Sequence, residues 1–69
     1  MNNILLIHKL IVEAEELSEK IIKLEGFMTS DKFTTITAAQ QLLLEEQYDI
    51  MRDYLTVLLR RIHNMNEEN

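Results

Sequence analysis

The chain predicts an all-α protein: an antiparallel two-helix hairpin with a short helical turn in its connection, assembling into a helical-bundle oligomer. Three observations lead there. Two long segments repeat apolar residues at alternating steps of three and four, the spacing that keeps one stripe of a helix facing a partner. The stretch where that spacing fails lies between them. Proline is absent and Gly26 is the single glycine among 69 residues, so little else interrupts a helix.

The first helix is expected over about residues 3–28. Its seam reads Ile7, Leu10, Ala14, Leu17, Ile21, Leu24 and Met28. Asn2 or Asn3 can supply the N-cap. Glu16 with Lys20, and Glu19 with Lys23, stand four apart in the favourable order, each pair worth about 0.2–0.5 kcal/mol. Gly26, just before the connection, suits either a helix end or a close approach by another backbone.

The connection is expected over about residues 29–37. Ser30 can cap one short turn that points Phe33 and Ile36 back onto the hairpin, as a packed lid. Thr37-Ala38-Ala39-Gln40 has the capping-box pattern, a hydroxyl three residues ahead of a glutamine. The second helix then runs over about 38–65, with the seam Leu44, Tyr48, Met51, Leu55, Leu58, Ile62 and Met65. Arg60, Arg61 and His63 fall in its last turns, where cations complement the helix dipole. The final "NMNEEN" is expected to fray. The whole, residues 1–69, reads as a single helical-hairpin domain, each helix about 40 Å long.

Apolar residues exceed what one hairpin can hide. Ile4, Leu5, Ile11, Val12 and Ile22 lie outside the first seam, and Leu42, Leu43, Ile50, Tyr54, Val57 and Leu59 outside the second. Leu43, Ile50, Tyr54 and Val57 form a further stripe. A chain this small buries only about 60% of its unfolded surface, and with no cysteine a disulfide cannot make up the shortfall. Self-association is the expected remedy: a dimer forming a four-helix bundle, or a tetramer or hexamer of hairpins. Gln47, between the two stripes, is expected as a buried polar contact fixing register.

Composition narrows function by exclusion. A net charge of -5 argues against DNA or RNA binding, which wants a basic surface. The apolar start is too short and too soon interrupted by charge for a signal peptide or membrane span. Lack of cysteine is compatible with a cytoplasmic location. His8 and His63 fall at one end of the hairpin, with only Glu67 and Glu68 nearby to complete a metal site that needs three or four ligands. The many carboxylates lie on polar helix faces, and neither Ser18 nor Ser30 has a histidine nearby in sequence. No enzyme constellation and no cofactor site can therefore be assembled.

The cations are few but unevenly placed. Lys9, Arg60 and Arg61, with His8 and His63, are expected where the start of the first helix meets the end of the second. The free N–H groups of a helix start favour anions, and Tyr54 or Tyr48 can stack on a base. The competing reading is that Arg60 and Arg61 serve only the dipole and bridge to glutamates of a neighbouring subunit.

Residues 16–62 resemble a family of small phage proteins first catalogued in crAss-like bacteriophages. The resemblance rests on Glu16-Leu17, Lys20-Ile21, Lys23-Leu24, Phe27 and Phe33. It continues through Gln41, Leu43-Leu44, Gln47, Met51, Tyr54, Leu58 and Arg61-Ile62. Phe27, Phe33, Gln47, Tyr54 and Arg61 are positions that hairpin periodicity alone does not require. The layout also looks like the hairpin of phage anti-defence sponge proteins, through Lys20-Ile21, Leu24, Asp31, Gln47, Met51 and Arg61-Ile62. Those proteins oligomerise and sequester cyclic nucleotides made by bacterial immune systems of the CBASS and Thoeris types. Their short additional N-terminal helix is not evident here.

That resemblance implies a cytoplasmic protein of an infected bacterium, holding a cyclic nucleotide without catalysis. Lys9, Lys20, Arg60 and Arg61 would neutralise phosphates and Tyr54 would stack. The alternative is a helical-hairpin module that docks on a host or phage protein through its surplus apolar stripe.

Overall fold

A computed structural model describes residues 4–68. Helix α1 spans Ile4–Met28, a 3-10 turn spans Asp31–Thr35, and helix α2 spans Ala38–Glu68. The two α-helices pack against each other as the expected antiparallel hairpin. The Asn2 and Asn3 cap positions lie outside the described residues.

The core is a single line of contact. Leu58 is 0% exposed and packs in a cluster with Leu10 and Ala14. Leu17, Leu55, Ile62 and Met65 close around that cluster. Ala14 leaves room for a large knob from the facing helix, as coiled-coil packing requires. Ile7 and Ile21 extend the buried line along α1.

Hydroxyl groups shape the connection. At the end of α1 the Thr29 hydroxyl donates to the carbonyls of Glu25 (3.1 Å) and Gly26 (3.2 Å). The Ser30 hydroxyl donates to the backbone carbonyl of Phe27 (2.7 Å). The Glu25 and Phe27 carbonyls also accept the backbone N–H groups of Thr29 (3.1 Å) and Ser30 (3.0 Å), so the hydroxyls add second bonds at the close of the helix. Ser30 thus closes α1 with its side chain, although it was expected to cap the following turn, where it makes no side-chain bond.

Gly26 departs from expectation in a similar way. It lies inside α1 with a negative φ, and a Cβ built there meets nothing within 4 Å. It is therefore neither a left-handed helix stop nor a point of backbone approach within the hairpin.

Phe33 and Ile36 are half-buried, as the lid reading requires. Phe33 sets its ring edge-on to Phe27, with centroids 6.1 Å apart and planes at 84°, a geometry the ring quadrupoles favour. The Gln41 side chain donates to the carbonyls of Phe33 (3.1 Å) and Ile36 (3.2 Å), tying the turn to α2. The Thr37 hydroxyl accepts from the Gln40 backbone N–H at 3.2 Å, the N-cap bond expected of it.

Three further expectations change. The tail does not fray at residue 65: α2 continues to Glu68, and His63 pairs with Glu67 one turn on. Glu16–Lys20 and Glu19–Lys23 do not close, His63–Glu67 being the ion pair formed among the described residues. Gln47 is exposed, and its amide contacts Met51 of its own helix at 3.7 Å. In a lone hairpin no second surface covers it.

The surface is large for the mass. Its accessible area is 5482 Å², against roughly 4,500 Å² for a compact monomer of this size. The extents of 52 × 15 × 12 Å explain the excess, since a rod two helices wide has almost no interior. Twelve large apolar residues remain 37% to 68% exposed among the described residues. They include every residue predicted to lie outside the seams, and also Leu6.

Two substitutions check this packing. Leu58→Ala should lower stability in denaturant unfolding by about 2–5 kcal/mol, since it removes the most buried side chain. Gly26→Ala should raise it by about 0.4–1 kcal/mol, because the site is helical and open.

Candidate functional site

Each helix face is set by its register, so the two edges of the contact line can be read separately. One edge carries Lys9, Glu13 and Lys20 on α1, four and seven residues apart, which places them on one side of the helix. On α2 the same edge carries Gln47, Tyr54 and Arg61, seven apart. The two sets meet where the Tyr54 hydroxyl donates to the Glu13 carboxylate. Arg61 lies close enough to act electrostatically on that phenol.

The Tyr54–Glu13 bond raises the phenol's pKa above 10.0, because ionising the phenol would break the bond beside a carboxylate. Partial burial and Glu13's charge push the same way, and Arg61 pulls back. Glu13 itself is half-buried.

The opposite edge repeats the device. The Tyr48 hydroxyl donates to Glu25 at 2.6 Å, and Arg52 sits over the Tyr48 ring at 5.6 Å from its centroid. Further along that edge an open apolar groove of about 320 Å³ is lined by Ile11, Ala14, Leu55, Leu59 and Ile62, with Glu15 and Ser18 at its margin. A second, polar hollow on α2 is lined by Asp49, Arg52, Asp53 and Thr56.

The structure therefore sorts the five residues singled out from sequence. Lys9, Lys20, Tyr54 and Arg61 share one edge and are all exposed. Arg60 is exposed too, but one residue's rotation turns it about 100° from Arg61, toward the outer face of α2. His63 is engaged with Glu67. Among the described residues no group of three or more potential metal ligands forms, and no helix is long and apolar enough to cross a membrane.

Sequence reading did not find the Tyr–Glu bonds. Glu13 and Glu25 look like ordinary surface carboxylates, and only the register between the helices brings a tyrosine to each. Glu13→Gln should move the alkaline midpoint of Tyr54 back toward 10, read as tyrosinate absorbance in a Tyr48→Phe background. By linkage, a raised phenol pKa adds stability that is complete below pH 10. That stability fades as pH climbs through the folded value, so Glu13→Gln should also flatten the alkaline loss of stability.

A family model described as Sequestin matches residues 6–64, a span that takes in the first seam, the second as far as Ile62, the connection and both tyrosine bonds. No curated protein matches the chain, and no solved structure does. The matched span covers most of the chain, and the protein belongs to the Sequestin family.

Proposed function

We propose that this protein is a phage-type anti-defence sponge: a self-associated helical hairpin that binds a cyclic nucleotide immune signal and withholds it without turnover. The observation that carries the reading is the Sequestin match across residues 6–64, whose family name speaks of sequestration. The edge holding Lys9, Lys20, Tyr54 and Arg61 supports it chemically. Arginine and lysine neutralise phosphates, and a tyrosine ring offers a base an aromatic face. Arg60, on the outer face, would serve a ligand shared with a neighbouring subunit.

Withholding a ligand needs enclosure, and a lone hairpin is convex. Pockets that hold small molecules bury most of the ligand surface, so the site forms between subunits, in the cytoplasm of an infected bacterium. The excess accessible area and the twelve exposed apolar side chains favour such an assembly. The alternative is docking on a host or phage protein, favoured by the groove along Ile11, Leu55 and Leu59.

Calorimetry and thermal shift against cyclic dinucleotides, cyclic trinucleotides and cyclic ADP-ribose isomers test this. At least one should bind and raise the melting temperature, and be recovered chemically unchanged. Arg61→Ala should weaken that binding roughly tenfold or more, as expected for loss of a charge-assisted contact. If no cyclic nucleotide binds, the protein-docking reading takes its place. If binding survives both Arg60→Ala and Arg61→Ala, the ligand lies elsewhere.

A further inference from the structure

Helix α2 carries a second complete seam that the hairpin leaves open. Leu43, Gln47, Ile50, Tyr54, Val57 and Arg61 follow one another at steps of 4, 3, 4, 3 and 4. All six are exposed, and the four apolar members remain 46% to 58% accessible. The stripe is about 27 Å long. Its spacing is that of a coiled-coil contact line, offset by one residue from the line that faces α1.

We propose that this stripe is the self-association face, and that its occupant is α2 of a second copy running antiparallel about a twofold axis. Two observations favour that occupant. The accessible area exceeds that of a compact monomer by roughly 1,000 Å², of the order of the roughly 800 Å² that each partner contributes to a standard interface. The flanking charges then choose the direction. Glu46, Asp53 and Arg60 are exposed and sit at seven-residue steps beside the stripe.

In a parallel pair this row faces the Leu44, Met51 and Leu58 row of the other copy, which packs toward α1, so Glu46 and Arg60 gain no opposite-charge partner. In an antiparallel pair centred between Ile50 and Tyr54, Glu46 of each copy faces Arg60 of the other. Asp53 meets its own copy only in the antiparallel pair, one like-charge contact against two opposite-charge ones. Ile50 packs on Tyr54 of the second copy, and Gln47 takes the place of a polar residue in a coiled-coil core, where it specifies register.

This inference rests on the self-association put forward above and on no property of the ligand. It adds a consequence for the site. Lys20 stands seven residues from Glu13, and Gln47 seven from Tyr54, so Lys20 is level with Gln47. It therefore lies opposite Val57 of the second copy, between that copy's Tyr54 and Arg61. One edge of each subunit completes the other.

The chain contains no native cysteine, so introduced thiols report the pairing without interference. With a short bis-maleimide and no nucleotide present, Asp53→Cys should link copies efficiently. Glu46→Cys and Arg60→Cys should link when mixed and not when treated alone. Glu46→Arg and Arg60→Glu should each weaken self-association roughly three- to tenfold by light scattering. Their combination should restore it.

Linking of Glu46→Cys with itself would overturn the antiparallel direction. Self-association without any link through Asp53→Cys would overturn the face. A monomeric wild-type protein at low concentration would overturn both. Nucleotide binding by a protein that pairs through another face would leave the sponge reading standing and this inference refuted.

Discussion

A hairpin of two helices has one line of mutual contact, and everything else in this molecule depends on how narrow that line is. Leu58 reaches full burial because Leu10 and the small Ala14 receive it, and elsewhere on the seam Ile7 and Ile21 are the other buried residues among those described. A side chain about 100° away from the line points into water whatever its chemistry. Ile11, Ile50, Val57 and Leu59 are accordingly exposed without any defect in the packing. The fold cannot be completed by a better arrangement of the same two helices, and burial of those residues needs another surface.

The polar contacts act mainly on register and shape. Tyr54 with Glu13, and Tyr48 with Glu25, cross the contact line on its two edges. Each links one helix to the other at a fixed level, so sliding by one turn would break both. At the tip the Phe27–Phe33 contact and the Gln41 amide hold the connection against the helix ends. Thr29 and Ser30 meanwhile satisfy carbonyls at the close of α1. None of these bonds supplies a large apolar area. They select one arrangement among several that the seams alone would tolerate.

Shape also limits function. A rod of 52 × 15 × 12 Å presents grooves but, among the described residues, no enclosed chamber, and the cations along the Tyr54 edge are exposed. Membership of the Sequestin family and the exposed apolar stripe are the two observations on which the proposed assembly rests. Binding strong enough to withhold a ligand would arise where two such edges meet. That coupling would make assembly and ligand capture one property of the molecule.

The sequence by itself determined the two helices, their seams and the surplus of apolar residues, because each follows from a local period. Leu58, Leu10 and Ala14 stand out in the spacing alone, and Thr37 announces the start of α2 through a bond only three residues long. Ile50, Tyr54 and Val57 were legible as a stripe for the same reason. What tertiary structure decided was relative level: which residue of α1 stands beside which residue of α2. Periodicity repeats every heptad and cannot choose among registers, so it could not foresee Glu13 on Tyr54 or Glu25 on Tyr48. The period turns Arg60 and Arg61 to different faces, but only the register shows that Arg61 is the one beside the Tyr54–Glu13 pair. Gly26 and Ser30 depart from expectation for a related reason. Their residue types allow several roles at a helix end, and only the path of the backbone selects one.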